Sequence, residues 1–414
     1  MNKDSKSVYW KLSAFLFFYQ LTWASGYSLY ALWLGEEIKL NSVSIGMILS
    51  VNAVFAVLSK IFYGYLLDKF GLRKNVLWII SLFTLLLGPF FIYLYGPLLK
   101  HNLILGTIIG GFYLGFTYLA GIAAIESYID KCGRTYDFEY GKTRMWGSLG
   151  WAVSIFFAGQ LFNINPNINF WLASCSAVIL IFILASFKTD GSIEKLEKVD
   201  PIKVKDILSL FKMKSFWIFV SFVVGVAWSY FIMEQQFSRY FVSMFSNPAL
   251  GNKLYGYLGS AQVFIEGGMM FVAPSIINKI GPKRGLLLAG AIMVFRIIGS
   301  GLVIGPIGIS LMKLLAGFEL PILLVSVFKY IAANFNSRLS SSTYLIGYQS
   351  MLYVGLVTVG PVAGKLYDSI GFGHSYLIIG SIALVFTIIS SFTLSNKWPK
   401  ELDSSSNEDD RVAS

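Results

Sequence analysis

Apolar runs close to the length of a membrane-crossing helix recur from Phe15 to Leu394, separated by short polar stretches. A helix needs about twenty residues to cross a bilayer core. The runs at 11–34, 44–66, 75–96, 103–129, 144–163, 168–187, 217–245, 257–278, 285–305, 308–330, 340–364 and 373–394 predict about twelve such helices. The chain therefore reads as an all-α, polytopic membrane protein. The first run, Leu12 to Leu34, is too long and aromatic for a secretory leader and lacks a cleavage-like end, so it is expected to stay as a span.

One internal connection is long. Lys188–Lys214 is charged and poor in aromatics, and reads as a linker between two halves. This gives an N-terminal six-helix bundle at 1–187, a linker at 188–214, a C-terminal six-helix bundle at 215–397 and a disordered tail at 398–414. A repeat supports the division. Gly64, Asp68 and Gly71, followed by Arg73 and Lys74, close the second run, and Gly364, Asp368 and Gly371 repeat the spacing after the eleventh. A degraded copy, Ile277–Arg284, follows the eighth. Two six-helix halves with related loops are the sequence signature of the major facilitator fold. Gly64, Asp68, Gly71, Arg73 and Lys74 are assigned to gating, with glycine allowing a close helix approach; an ordinary basic loop is the plainer reading.

Composition sharpens the class. Hydrophobic residues make up 56% of the chain and charged residues 13%, against about a quarter charged in soluble proteins. The net charge of +11 could point to nucleic acid, but the basic residues collect in alternate loops and in the linker. That alternation is the positive-inside pattern, placing both termini in the cytoplasm and excluding nucleic acid as a partner. Cys132 and Cys175 have no metal-like spacing, His101 and His374 fall in loops, and no phosphate-binding loop or nucleophile–base set appears. No cofactor or metal is expected, and an enzyme has little support.

The candidate chemistry lies in the spans. Glu126, Arg144, Arg296 and Glu319 sit in or beside apolar runs, where a charge is costly and usually marks a pathway or site. Glu126 is placed at the end of the fourth run, Arg144 opens the fifth, and Trp151 follows two helical turns later on the same face. An acceptor, a forked donor and an aromatic plane suit a sugar, whose hydroxyls take bidentate bonds while its apolar face stacks. A structural Glu–Arg pair is the alternative. Gly106, Gly110, Gly111, Gly115, Gly147 and Gly150 are expected to let the fourth and fifth helices approach closely. Tyr19, Trp23, Tyr27 and Tyr30 form an aromatic stripe along the first span, equally suited to packing or to a sugar-lining wall. Tyr230 is a further cavity candidate, and Arg239 an interfacial anchor.

The segment Phe138–Trp151 resembles the corresponding part of the lactose permease family, the oligosaccharide:proton symporters of the major facilitator superfamily, and the likeness extends over nearly the whole chain. Stretches beginning at Ile168, Leu254 and Val327 resemble the sucrose permeases more than the lactose permeases. The resemblance implies that Glu126 and Arg144 bind sugar and that Trp151 stacks on it. It also implies that Glu319 takes the proton with Arg296 tuning it; apolar surroundings favour the neutral form of a carboxylic acid. Three departures stand out. Ala316 replaces the lactose permease histidine, one turn before Glu319. The eighth-helix carboxylate moves from Val263 to Glu266, nearly the same face, making Glu266 the candidate for coupling and sugar contact. An intramembrane Asp–Lys pair becomes Phe231 and Leu352, while a second survives as Glu234 and Lys313, read as structural.

The sequence thus implies proton-coupled uptake of a disaccharide, sucrose first, by a monomer in the bacterial inner membrane. Raffinose, melibiose or lactose are the alternative sugars. A proton-driven drug exporter and a non-transporting sugar sensor are the rival classes; the first predicts a greasier cavity, the second a signalling extension.

Overall fold

The computed structural model describes residues 3–70, 74–186 and 209–396. Apart from residues 209–214, the expected linker lies outside these, as does the expected tail. Among the described residues, nine helices are long and apolar enough to cross a membrane. The bent pair Asn75–Leu85 and Leu87–His101 forms another span, Gly371 divides the longest helix in two, and Lys3–Tyr27 brings the total to twelve. We number them α1 (Lys3–Tyr27), α2 (Ser42–Phe70), α3 (the bent pair), α4 (Leu103–Tyr136), α5 (Tyr140–Ile164) and α6 (Asn167–Ala185). The second half holds α7 (Lys214–Ser243), α8 (Pro248–Ile280), α9 (Pro282–Leu302), α10 (Pro306–Asn334), α11 (343–370) and α12 (372–393).

Several helices run past the apolar stretches that reveal them, because hydropathy marks only the part in hydrocarbon. The first is displaced most: it begins at Lys3, breaks after Tyr27 and resumes as a short helix, Tyr30–Glu36. Local chemistry sets the boundaries. Asn247 caps α8, accepting from the amides of Ala249 and Leu250 ahead of Pro248. Gly281 and Gly305 stand at φ 85° before Pro282 and Pro306, and Gly371 turns the chain at φ 77°, a region costly for any residue with a Cβ. The bend of 45° within α3 falls just before Pro89.

Helices α1–α6 and α7–α12 form two bundles, joined by the packing of α2 on α11 and of α5 on α8. These junctions are tight at one end only. A Cβ on Gly159 would come within 1.9 Å of the Asn252 carbonyl oxygen, one on Gly46 within 2.5 Å of that of Gly360, and one on Gly364 within 2.4 Å of that of Ser42. A polar latch adds to the closure: both Asp368 carboxylate oxygens accept from the α2 N-terminus, from the amides of Ser42 and Val43 at 3.0 Å. Arg239 donates to the Ser42 hydroxyl at 2.8 Å and Gln236 to its carbonyl at 2.9 Å. Towards the other ends of the same helices, Gly64, Gly141, Gly267 and Gly268 face open space. The halves are sealed at the end bearing Ser42 and Pro248 and parted at the end bearing Lys3 and Tyr140.

Three sequence expectations change here. Gly64 makes no close helix contact, because it lies at the parted end; Gly71 and Arg73 lie outside the described residues, as does the side chain of Asp68. Lys74 donates to the Leu184 carbonyl oxygen at 2.5 Å, at the end of α6. The six glycines of α4 and α5 do not pack those helices together. Gly106 and Gly110 receive α3, Gly111 and Gly115 receive α2, and Gly147 and Gly150 receive α1. Arg239 is part of the latch between the halves rather than an anchor at the interface.

Candidate functional site

Two groups of charged side chains lie in the spans, one partly accessible in the N-terminal half and one largely buried in the C-terminal half. On the N-terminal side, Arg144 of α5 pairs with Glu126 of α4, Nε to Oε1 at 2.7 Å, and its Nη1 donates to Ser148 at 3.1 Å. Both side chains keep partial access to solvent, 40% for Arg144 and 28% for Glu126. Trp151 is half-buried, set edge-on to Trp23 of α1 at 5.3 Å between ring centroids. Arg144 and Trp151 thus lie two turns apart on α5, the first paired with Glu126 and the second set against Trp23.

The aromatic stripe of α1 divides. Tyr19 and Tyr30 are buried in packing: Tyr19 donates to the Thr117 carbonyl at 2.7 Å, and the Tyr30 and Tyr95 hydroxyls meet at 2.5 Å. Trp23 and Tyr27 are the pair that extends the wall from Trp151, with Trp23 stacked against Tyr118.

In the C-terminal half, four charges form one network. Arg296 of α9 is fully buried; its Nε bonds Glu319 Oε1 at 2.7 Å and its Nη1 bonds Glu234 Oε1 at 2.8 Å. Lys313 of α10 approaches the other Glu234 oxygen at 3.6 Å. Two acids and two bases balance, as buried charges must. Aromatic faces complete the shell: Arg296 lies over Tyr230 at 5.3 Å and Lys313 over Tyr255 at 4.9 Å. Tyr230 is thus a buried platform for a cation. The separation of a proton pair from a structural pair does not hold in space, because Glu234 bonds both cations.

Glu319 is itself fully buried, and its Oε2 has no hydrogen-bond partner. Ala316, one turn earlier, is buried too. Pro321 lacks the amide that would bond the Gly317 carbonyl, and Gly317 packs on the Gln262 backbone of α8, where a Cβ would lie 2.9 Å from its oxygen. On that helix Glu266 is half-buried and forms no ion pair among the described residues. Its helix packs on α5, which carries Arg144, and on α10, which carries Lys313 and Glu319. Glu266 is thus carried by the helix that joins the two charged groups. Phe231 and Leu352 are half-buried apolar side chains packed against the core.

One intramembrane charge escaped the sequence reading. Lys60 lies within the apolar run of α2, and its Nζ donates to the Tyr353 hydroxyl of α11 at 2.7 Å. A lone lysine near the middle of a span is a signal in its own right, passed over because its neighbours are so apolar.

The sequence model of the LacY proton/sugar symporter family matches residues 1–407. The chain is 38% identical to the sucrose permease of Escherichia coli over 400 residues, 96% of each protein. It is 41% identical to the lactose permease of Citrobacter freundii over 379 residues, 90% of this chain and 91% of that one. Among solved structures, the nucleoside transporter NupG superposes with a TM-score of 0.79 over 94% of this chain and 98% of its own, at 15% identity, a likeness of fold alone. With twelve helices in two bundles and a match along almost its full length, the chain belongs to the LacY family of proton/sugar symporters, a multi-pass membrane transporter and not an enzyme.

Proposed function

We propose that this symporter takes up a disaccharide, sucrose first, with a proton across the bacterial inner membrane, both termini facing the cytoplasm. Glu126, Arg144 and Trp151 hold the sugar, and Glu266 contacts it from the opposite half. Glu319 carries the proton. The observation that supports this reading most is the place of Glu266, without an ion-pair partner among the described residues, on α8, the helix that packs both on α5 with Arg144 and on α10 with Glu319.

The chemistry follows from the pairings. The bond from Arg296 to Glu319 suits the carboxylate, so in this reading the arrangement corresponds to the state after the proton has left, with the parted end facing the cytoplasm. A proton on Glu319 removes that pair and leaves Arg296 to Glu234. Sugar at Arg144 draws Glu266 and the second bundle inward, which links sugar occupancy to closure of the parted end. Ala316 supplies no polar relay, so the link runs through Glu266. Family membership sets aside the exporter and sensor readings.

The choice of sugar rests on the likeness of segments beginning at Ile168, Leu254 and Val327 to sucrose permeases. Labelled sucrose uptake by right-side-out vesicles, with and without an inward proton gradient, tests it. Gradient-driven accumulation is expected. Equilibration without accumulation would remove the coupling, and uptake of lactose but not sucrose would remove the sugar assignment.

A further inference from the structure

Two polar atoms at the centre of the four-charge network have no hydrogen-bond partner among the described residues: Nη2 of Arg296 and Oε2 of Glu319. Both side chains are fully buried. The two atoms are also neighbours. Arg296 Nε and Glu319 Oε1 meet at 2.7 Å, and each orphan belongs to the same planar group as one of those atoms. The pair is thus held by one bond where a guanidinium and a carboxylate can make two. A third orphan follows on α9. Ser300, fully buried, stands one turn after Arg296, and its Oγ has no partner among the described residues. Other hydroxyls in the spans bond the carbonyl one turn back, as Ser229 does to Gly225 at 3.0 Å and Thr387 to Ala383 at 2.7 Å. The helix is fixed at this point, because Tyr240 donates to the Ser300 carbonyl at 2.5 Å.

Buried polar groups left over in this way are the usual partners of an internal water, which makes about three hydrogen bonds. A donor from Arg296, an acceptor from Glu319 and a hydroxyl able to act as either supply that number. Ala316, fully buried one turn before Glu319, adds only a methyl group on that face of α10.

Resting on the reading that Glu319 carries the proton, we propose that a buried water bridges Arg296 Nη2, Glu319 Oε2 and Ser300 Oγ, and passes the proton to and from Glu319. Uptake is transfer from hydronium: one of its O–H bonds breaks, an O–H bond forms at Oε2, and neutral water remains. Release is the reverse, and the charge of Arg296 repels the hydronium that forms. Glu234 marks where the proton leaves, because it is the member of the network most open to solvent, 21% against 5% for Lys313 and none for Arg296 and Glu319. Ser300 is a positioning residue in this arrangement, and the water does the work of a polar side chain at 316.

Infrared difference spectra of the purified protein between acid and alkaline pH test this. The carboxyl band that vanishes in Glu319→Gln belongs to Glu319. Exchange into heavy-oxygen water should shift an O–H band that comes and goes with that carboxyl band. The O–H band should be lost in Ala316→Val, where a larger side chain takes the space, displaced in Ser300→Ala and kept in Ala316→Ser. In vesicles, sucrose-driven alkalinisation by Ala316→Val should be about tenfold slower, with exchange of internal for external sucrose within about twofold of normal. An O–H band unchanged in Ala316→Val, or no isotope-sensitive band beside the Glu319 carboxyl, would overturn the water. Where Ala316→Val does not insert, Ser300→Ala decides, and an undisplaced band there overturns the proposal. Absence of any Glu319 carboxyl band from the unaltered protein would instead remove the proton reading itself, and the water with it.

Discussion

Arg144 carries the largest expected single effect at the proposed sugar site, because it pairs with Glu126, bonds Ser148 and stays partly accessible. Arg144→Ala removes a charge-assisted fork and leaves Glu126 without its partner, a loss of about 3 kcal/mol or more than a hundredfold in affinity. Sugar binding to the purified variant measures this; near-normal affinity would dismiss the proposed pocket. Arg144→Lys should recover little, since an ammonium lacks the planar fork. The network around Arg296 gives a different test. Glu234 holds two cations, whereas Lys313 has a single acidic partner. Glu234→Ala should therefore destabilise the protein more than Lys313→Ala, by about 3 kcal/mol against less than 2. Thermal unfolding in detergent compares them, and equal losses would contradict the four-charge description. Membrane position and helical spacing made Glu126, Arg144, Arg296 and Glu319 legible in the sequence. The bond from Glu234 to Arg296 was not, because 62 residues separate them and only the packing of α7 on α9 brings them together.

Element by element, the closed end depends on backbones in contact. Gly159 against Asn252 leaves no room for a methyl group, so Gly159→Val should force α5 and α8 apart there. The protein would then spend more time open at that end, and transport should fall at least tenfold, since clashes of this kind exceed about 1.4 kcal/mol. A cysteine at Ser50, between the halves, reports the change: in a background with Cys132 and Cys175 replaced, a membrane-impermeant thiol reagent should label it faster in Gly159→Val. Unchanged labelling would show that these contacts do not set the conformation. This level of structure was least legible in the sequence. Runs of apolar residues located the helices, since each must be apolar to lie in hydrocarbon. A glycine, by contrast, announces that something approaches without saying what, and so α4 and α5 were credited with contacts that belong to α1, α2 and α3.

As a whole molecule, the transporter has its seal and its opening at opposite ends, with the Glu126–Arg144 pair and the Arg296 network in different halves. Coupling, in the function proposed here, means that occupancy of one bundle changes the protonation of the other, and Glu266 is the proposed link, on a helix packed against both α5 and α10. Linkage requires the effect to be mutual: if sugar favours the protonated state of Glu319, the proton must favour sugar binding. The most direct measurement is the external pH of a lightly buffered suspension of right-side-out vesicles when sucrose is added without a prior gradient. The unaltered protein should carry protons inward with the sugar and make the medium more alkaline. Glu319→Gln should abolish that change while still exchanging internal for external sucrose. Alkalinisation by Glu319→Gln equal to that of the unaltered protein would contradict the assignment of the proton to Glu319, and with it the division of labour between the two halves.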